Sequence, residues 1–116
     1  MRILIDECLP TRCRTWFSGH GVETVAYRGW KGVLNGALLA KAVDAGFEVL
    51  LATDKGMHQQ HDIRQLPLAV VVTPSNRLKH LESLKDIIVS AVERTRPGDY
   101  LEVSKPAEVS ETGSAP

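Results

Sequence analysis

Three carboxylates stand where they could do chemistry. Asp6 and Glu7 follow directly on the apolar run MRILI at 1–5, and Asp54 comes just after the run EVLLA at 48–52. A carboxylate beside a buried strand is costly unless something positive balances it, and a divalent cation does this well. Magnesium takes oxygen ligands and keeps several waters, and it commonly needs one or two protein carboxylates plus phosphate oxygens of a substrate. A Mg²⁺ or Mn²⁺ ion held by Asp6 and Asp54, with Glu7 beside them, would activate water and stabilise an in-line phosphoryl displacement. Each aspartate alone could equally cap the helix after its strand. Both standing at equivalent strand ends favours the chemical reading. The candidate catalytic residues are therefore Asp6, Asp54 and Glu7, the first two as metal ligands.

Cations gather nearby in sequence. Over residues 8–42, Arg12, Arg14, Arg28, Lys31 and Lys41 face a single acid, Glu23. A loop around Arg28 to Lys31 folded over the strand ends would make a local phosphate-binding strip. Arg77, beside the Ser75-Asn76 turn, is placed to reach a phosphate as well. With Asn35, these make Arg28, Lys31 and Arg77 the candidate substrate-binding residues. Trp30 could stack on a base, but a lone loop tryptophan more often plugs the edge of a core. His58 and His61 lack a third ligand at zinc spacing and read as surface residues. Cys8 and Cys13 are too close along one helix for a structural disulfide and match no zinc spacing, so they read as buried or half-buried thiols of a reducing compartment. No G-x-S-x-G elbow supports a serine triad.

These residues need a scaffold, and the pattern supplies one. Leu9, Cys13, Trp16 and Phe17 form a helical stripe behind Pro10. VETVA at 22–26 alternates as a strand, and 27–36 is a loop. Asn35 is placed to cap a helix carrying Leu38, Leu39, Ala42 and Val43, which Gly46 closes. EVLLA is the next strand, and 55–66 holds only a short helix or loop. LAVVV at 68–72 reads as a strand buried on both faces. Leu81, Leu84, Ile88, Ala91 and Val92 mark one long helix ending before Pro97-Gly98, and a last strand covers 99–103. Alternating strands and helices imply a parallel sheet with helices on both faces. Ligands of such sheets sit beyond the carboxyl ends of the strands, where Asp6 and Asp54 are expected.

Composition narrows the choices further. The 116 residues carry 14 Lys plus Arg against 14 Asp plus Glu, and zero net charge disfavours attachment to nucleic acid by bulk electrostatics alone. Aromatics at 5% disfavour a protein built on base stacking. No leader pattern or membrane-length apolar run is visible, so the chain reads as cytoplasmic, without membrane contact. Residues 1–103 form one domain, and 104–116 read as a polar, flexible tail.

The segments ILIDECLPTR, GVETVAYRGWKGVLNGALLAKAVDAGFEVLLATDKGMHQQ and LPLAVVVTPSNRLKHLESL resemble, in order, the PIN-like family of short bacterial proteins, related to PIN-domain ribonucleases and VapC-type toxins. The resemblance runs over residues 1–103. It implies a PIN-like three-layer α/β/α sandwich with a mainly parallel central sheet of about five strands. It also implies RNA cleavage with Mg²⁺ or Mn²⁺ held by three or four acids. On this likeness Asp6 and Asp54 match the two central acids. Asn35, Ala37 and Gly56 stand where relatives often carry further acids, leaving Glu7 as the third. Expected partners are RNA, a cognate antitoxin protein and a second copy of the chain.

Two rival readings remain. In the first, an acid-depleted PIN-like module binds RNA or a protein partner and cuts weakly. In the second, a receiver-like domain accepts a phosphoryl group on Asp54, with Asp6 and Glu7 holding Mg²⁺ and Thr73 and Lys105 completing the site. The short 55–67 segment and the long helix after Thr73 fit a receiver poorly.

Overall fold

The computed structural model describes residues 1–54, 56 and 61–104. His58, Lys105 and the expected tail from 105 onward lie outside the described residues, as do 55, 57, 59 and 60. The central strands form where the chain is continuously apolar. The first, β1, is Arg2–Ile5. The edge strand β2 is Gly21–Thr24. Strands β3 (Val49–Ala52) and β4 (Ala69–Val72) are buried at every residue, as strands covered on both faces must be. The short β5 is Tyr100–Glu102. The five strands form one sheet in the order β2-β1-β3-β4-β5, with every neighbouring pair parallel. The chain thus has an α/β fold, and the expected sheet is parallel throughout rather than mainly so.

Period-two alternation sends side chains to two cores. Ile3 and Ile5, Val49 and Leu51, and Ala69 and Val71 pack on one face with Cys13, Trp16, Phe17, Leu81, Leu84, Ile88 and Val92. Leu4, Leu50, Ala52, Val70 and Val72 pack on the other with Val25, Leu38, Leu39, Ala42, Phe47 and Ile63. The first core is covered by a 3₁₀ helix (Thr11–Trp16) and by α2 (Leu78–Ser83) and α3 (Lys85–Glu93); the second by α1 (Asn35–Asp44) and a 3₁₀ turn (Ile63–Gln65). Three layers result.

The helices depart from the sequence expectations in three places. The stripe starting at Leu9 forms a six-residue 3₁₀ helix, which still puts Cys13 and Trp16 on one face because i and i+3 eclipse in that geometry. Thr15 Oγ1 donates to the Arg12 carbonyl (2.8 Å), a local bond that competes with an α-helical ladder. Cys8 precedes this helix, so the two cysteines do not share one. Cys8 is exposed and Cys13 buried, both free thiols. The single long helix expected over 81–92 is two: Leu84, buried, has left helical geometry (φ −108, ψ 8). Ser83 Oγ donates to the His80 carbonyl at 2.6 Å, again diverting the last turn. Asn35, expected as a cap, is instead the first residue of α1, with Leu34 at the cap position and no side-chain cap bond.

The connections do not all share one hand. Those from β1 to β2, from β2 to β3 and from β3 to β4 keep one sense, since movement across the sheet and the face crossed reverse together. The connection from β4 to β5 runs through α2 and α3 on the same face as the 3₁₀ helix, yet moves across the sheet in the opposite direction. It therefore has the opposite hand, an uncommon arrangement in parallel sheets. His20, just before β2, reaches the end of α3, with Nε2 3.1 Å from Glu93 Oε2. Among the described residues no helix is long and apolar enough to cross a membrane.

Candidate functional site

Because every strand is parallel, one rim of the sheet collects all the carboxyl ends. The strand order reverses at β1 and β3, where connections leave in opposite directions, the place where parallel sheets of this kind commonly take ligands. Asp6 and Asp54 stand at those two ends. Asp6 is tied to β3 through its N–H, which donates to the Leu51 carbonyl at 2.9 Å. Its carboxylate accepts the Glu7 N–H on Oδ1 (2.8 Å) and the Cys8 thiol on Oδ2 (3.3 Å). The Cys8 sulfur also lies 3.1 Å from Thr53 Oγ1, so one thiol bridges the ends of β1 and β3. Lost solvation, then the neighbouring Asp6 charge, push this thiol above its ordinary pKa, although the Thr53 bond opposes the shift. At neutral pH Cys8 is a neutral hydrogen-bond donor rather than a nucleophile. Cys13 is a core residue, and burial raises its thiol to about 11.

Asp54 is held from two sides. Oδ1 accepts the Gly56 N–H at 2.8 Å, and Oδ2 accepts Asn35 Nδ2 at 2.5 Å. The side chain of Asn35 thus leaves its own helix uncapped and fastens the β3 end to the start of α1. The next residue, Gly36, lies under the His61 ring, where a Cβ would come within 2.9 Å of Cε1. Tyr100 of β5 senses the same corner. Burial, the hydrogen bond of its hydroxyl to Glu102 Oε2 (3.0 Å) and the Asp54 charge all raise its pKa.

Glu7 turns away from the two aspartates toward the loop after β2, where its Oε1 accepts the Gly32 N–H at 2.7 Å. That bond fixes the loop bearing Arg28, Trp30 and Lys31 beside the strand ends. Lys31 is exposed on it, without an ion pair among the described residues. Arg28 is committed elsewhere: Nη1 is 3.1 Å from Glu23 Oε1, and its guanidinium lies 4.9 Å from the centroid of Trp30 and 5.4 Å from that of Phe47. Trp30 meets Phe47 edge-on at 6.3 Å and packs against the second core, the plugging role. Arg77 stands at the start of α2, its N–H donating to Ser75 Oγ at 3.0 Å.

Asp54 is therefore joined to Asn35, and Asp6 to Cys8 and through it to Thr53, at the ends of two paired strands, with Glu7 tied to the loop that carries Lys31, while Arg28 has partners of its own. Sequence reading missed Cys8 and Thr53, whose only signal is adjacency to the two aspartates. For a cation, the hard oxygens of Asp6 and Asp54 suit Mg²⁺ or Mn²⁺ shared with water and a substrate phosphate. Among the described residues no group of three His, Cys, Asp or Glu stands together to hold an ion by protein ligands alone. No protein-family model matches the chain, and no curated protein or solved structure is matched by it.

Proposed function

We propose that the chain is a PIN-like, Mg²⁺- or Mn²⁺-dependent ribonuclease, acting as the toxin of a toxin–antitoxin pair. The observation that carries this reading is the pair of carboxylates at adjoining parallel strand ends, at the reversal of strand order. Asp6 and Asp54 would hold the ion, and a cation there supplies Lewis acidity and a water of lowered pKa. The protein's part is orientation. Cys8 and the Glu7 N–H hold the Asp6 carboxylate, while Asn35 and the Gly56 N–H hold that of Asp54. Glu7, tied to Gly32, keeps Lys31 near the place where a scissile phosphate would lie. In the test, purified protein is incubated with single-stranded RNA in Mn²⁺ and in chelator. Cleavage is expected only with the cation, and Asp6→Ala and Asp54→Asn both lose it. Cleavage that survives in both variants removes the assignment.

A second reading, an acid-poor module that binds RNA or a protein partner with little turnover, draws support from Asn35. An amide stands where a third carboxylate would complete the site. A receiver-like phosphoacceptor draws less, because Thr73 is buried and its hydroxyl donates to the Ser75 carbonyl at 2.8 Å rather than facing Asp54. Acetyl phosphate labelling of Asp54 is the result that would restore it.

A further inference from the structure

The outer edge of β2 carries a groove of about 740 Å³ lined by Thr11, Arg14, Val22, Glu23, Thr24 and Tyr27, with Ala26 between the last two. It is an open groove rather than an enclosed cavity. Three features give it a character. Tyr27 is 79% exposed, and neither its ring nor its hydroxyl has a partner among the described residues. Arg14 is exposed on the 3₁₀ helix and joins no ion pair there. The one acid in the lining, Glu23, is already neutralised by Arg28 at 3.1 Å and Arg2 at 3.6 Å. The groove therefore presents a free cation and a free aromatic face, with its only anion cancelled. It also adjoins the end of β1, where Asp6 stands. Thr24 is the register partner of Ile5, one residue before Asp6, and the helix carrying Thr11 and Arg14 begins shortly after Asp6.

We infer that this groove holds one nucleotide of a single-stranded RNA next to the bond to be cut, its base stacked on Tyr27 and its phosphate on Arg14. The inference rests on the proposed ribonuclease reading and assigns the path by which the strand reaches Asp6 and Asp54. A planar base needs an exposed ring and a phosphate needs an unpaired cation, and Tyr27 and Arg14 line the same groove.

Binding and cleavage separate the inference from the reading beneath it. A fluorescently labelled oligouridylate is titrated with the full chain in chelator, where no cleavage occurs, over a salt series by anisotropy. Tyr27→Ala is expected to weaken binding about tenfold and Tyr27→Phe to leave it near the natural value, since a ring alone stacks. Arg14→Ala is expected to lower the slope of log K against log salt by about 0.7, the share of one single-strand phosphate. Both residues are exposed, so the variants keep the fold. Affinity and salt slope that are unchanged in Tyr27→Ala and Arg14→Ala, or an RNA that does not bind at all, overturn the inference. Cleavage of the same oligonucleotide in Mn²⁺ is read separately. Binding that depends on Tyr27 and Arg14 without cleavage upholds the groove and defeats the nuclease, whereas cleavage with binding indifferent to both does the reverse.

Discussion

An Asn35→Asp variant is expected to be less stable than the natural chain in chelator and to bind Mn²⁺ about tenfold more tightly. Asn35 Nδ2 lies 2.5 Å from Asp54 Oδ2, so the substitution replaces a donor with a carboxylate facing a carboxylate. Even relaxed to about 4 Å, two like charges cost from about 1 kcal/mol in water to roughly 4 kcal/mol near a protein surface. Asp54 is exposed, so the lower figure applies. The same repulsion makes the site a better cation ligand, because a third hard oxygen joins Asp6 and Asp54. Stabilisation by bound cation follows RT ln(1 + [L]/Kd), so added Mn²⁺ raises the variant's melting temperature more than that of the natural chain. Thermal unfolding in chelator and in Mn²⁺, with calorimetric titration of the ion, checks both halves. A variant with undiminished stability in chelator, or one no more responsive to Mn²⁺, means that residue 35 does not share a site with Asp54.

Phe47→Ala is expected to cost about 3–5 kcal/mol, the range for deleting a buried phenyl ring. Phe47 is 1% exposed and lies in the second core, but its neighbours make it more than filler. Trp30 stands edge-on to it, and the guanidinium groups of Arg2 and Arg28 lie 4.5 and 5.4 Å from its centroid. Stacked cations of this kind each contribute roughly 0.5–1 kcal/mol at partly exposed sites. Arg2 also donates to the Ala45 carbonyl, which brings the end of α1 into the same assembly. Removing the ring therefore loosens the loop that Glu7 holds at Gly32, as well as opening a cavity. Phe47→Leu separates the two effects by restoring volume without the ring. Urea unfolding is expected to place it between the natural chain and Phe47→Ala. A loss below about 1 kcal/mol in Phe47→Ala would show that the loop stands without this support.

The parts of the molecule legible in the sequence are those fixed by apolar runs. LAVVV announces a strand buried on both faces and EVLLA a strand, and the acids after MRILI and EVLLA mark the carboxyl ends of those two runs. The strand positions follow, with ends displaced by a residue or two because strand edges depend on pairing partners. Local competition was harder to read. Thr15 and Ser83 each bond a carbonyl three residues back, and no hydropathy period reports that choice. Asn35 looks like a cap because asparagine caps helices well, but a carboxylate brought near by the fold takes its amide instead. The Cys8 bridge to Thr53 joins residues 45 apart in sequence, and only the pairing of β1 with β3 creates it. Arg28 counted as a phosphate ligand on charge alone; its ion pair with Glu23 requires knowing that the loop folds back over β2.

The reversed hand of the last connection sets an order of assembly. β1, β2, α1, β3 and β4 can pair as each connection closes, all with one hand. β5 cannot join β4 until α2 and α3 have swung across the face already occupied by the 3₁₀ helix. It is also the shortest strand and its residues are only half-buried or exposed, so few contacts hold it once docked. It should be the last element to form and the first to open. In native-state hydrogen exchange, the Val103 amide, bonded to the Val72 carbonyl at 2.8 Å, is expected to exchange well before the amides of β3. Equal protection at both would mean that the sheet opens only as a whole, with no such frayed margin at β5.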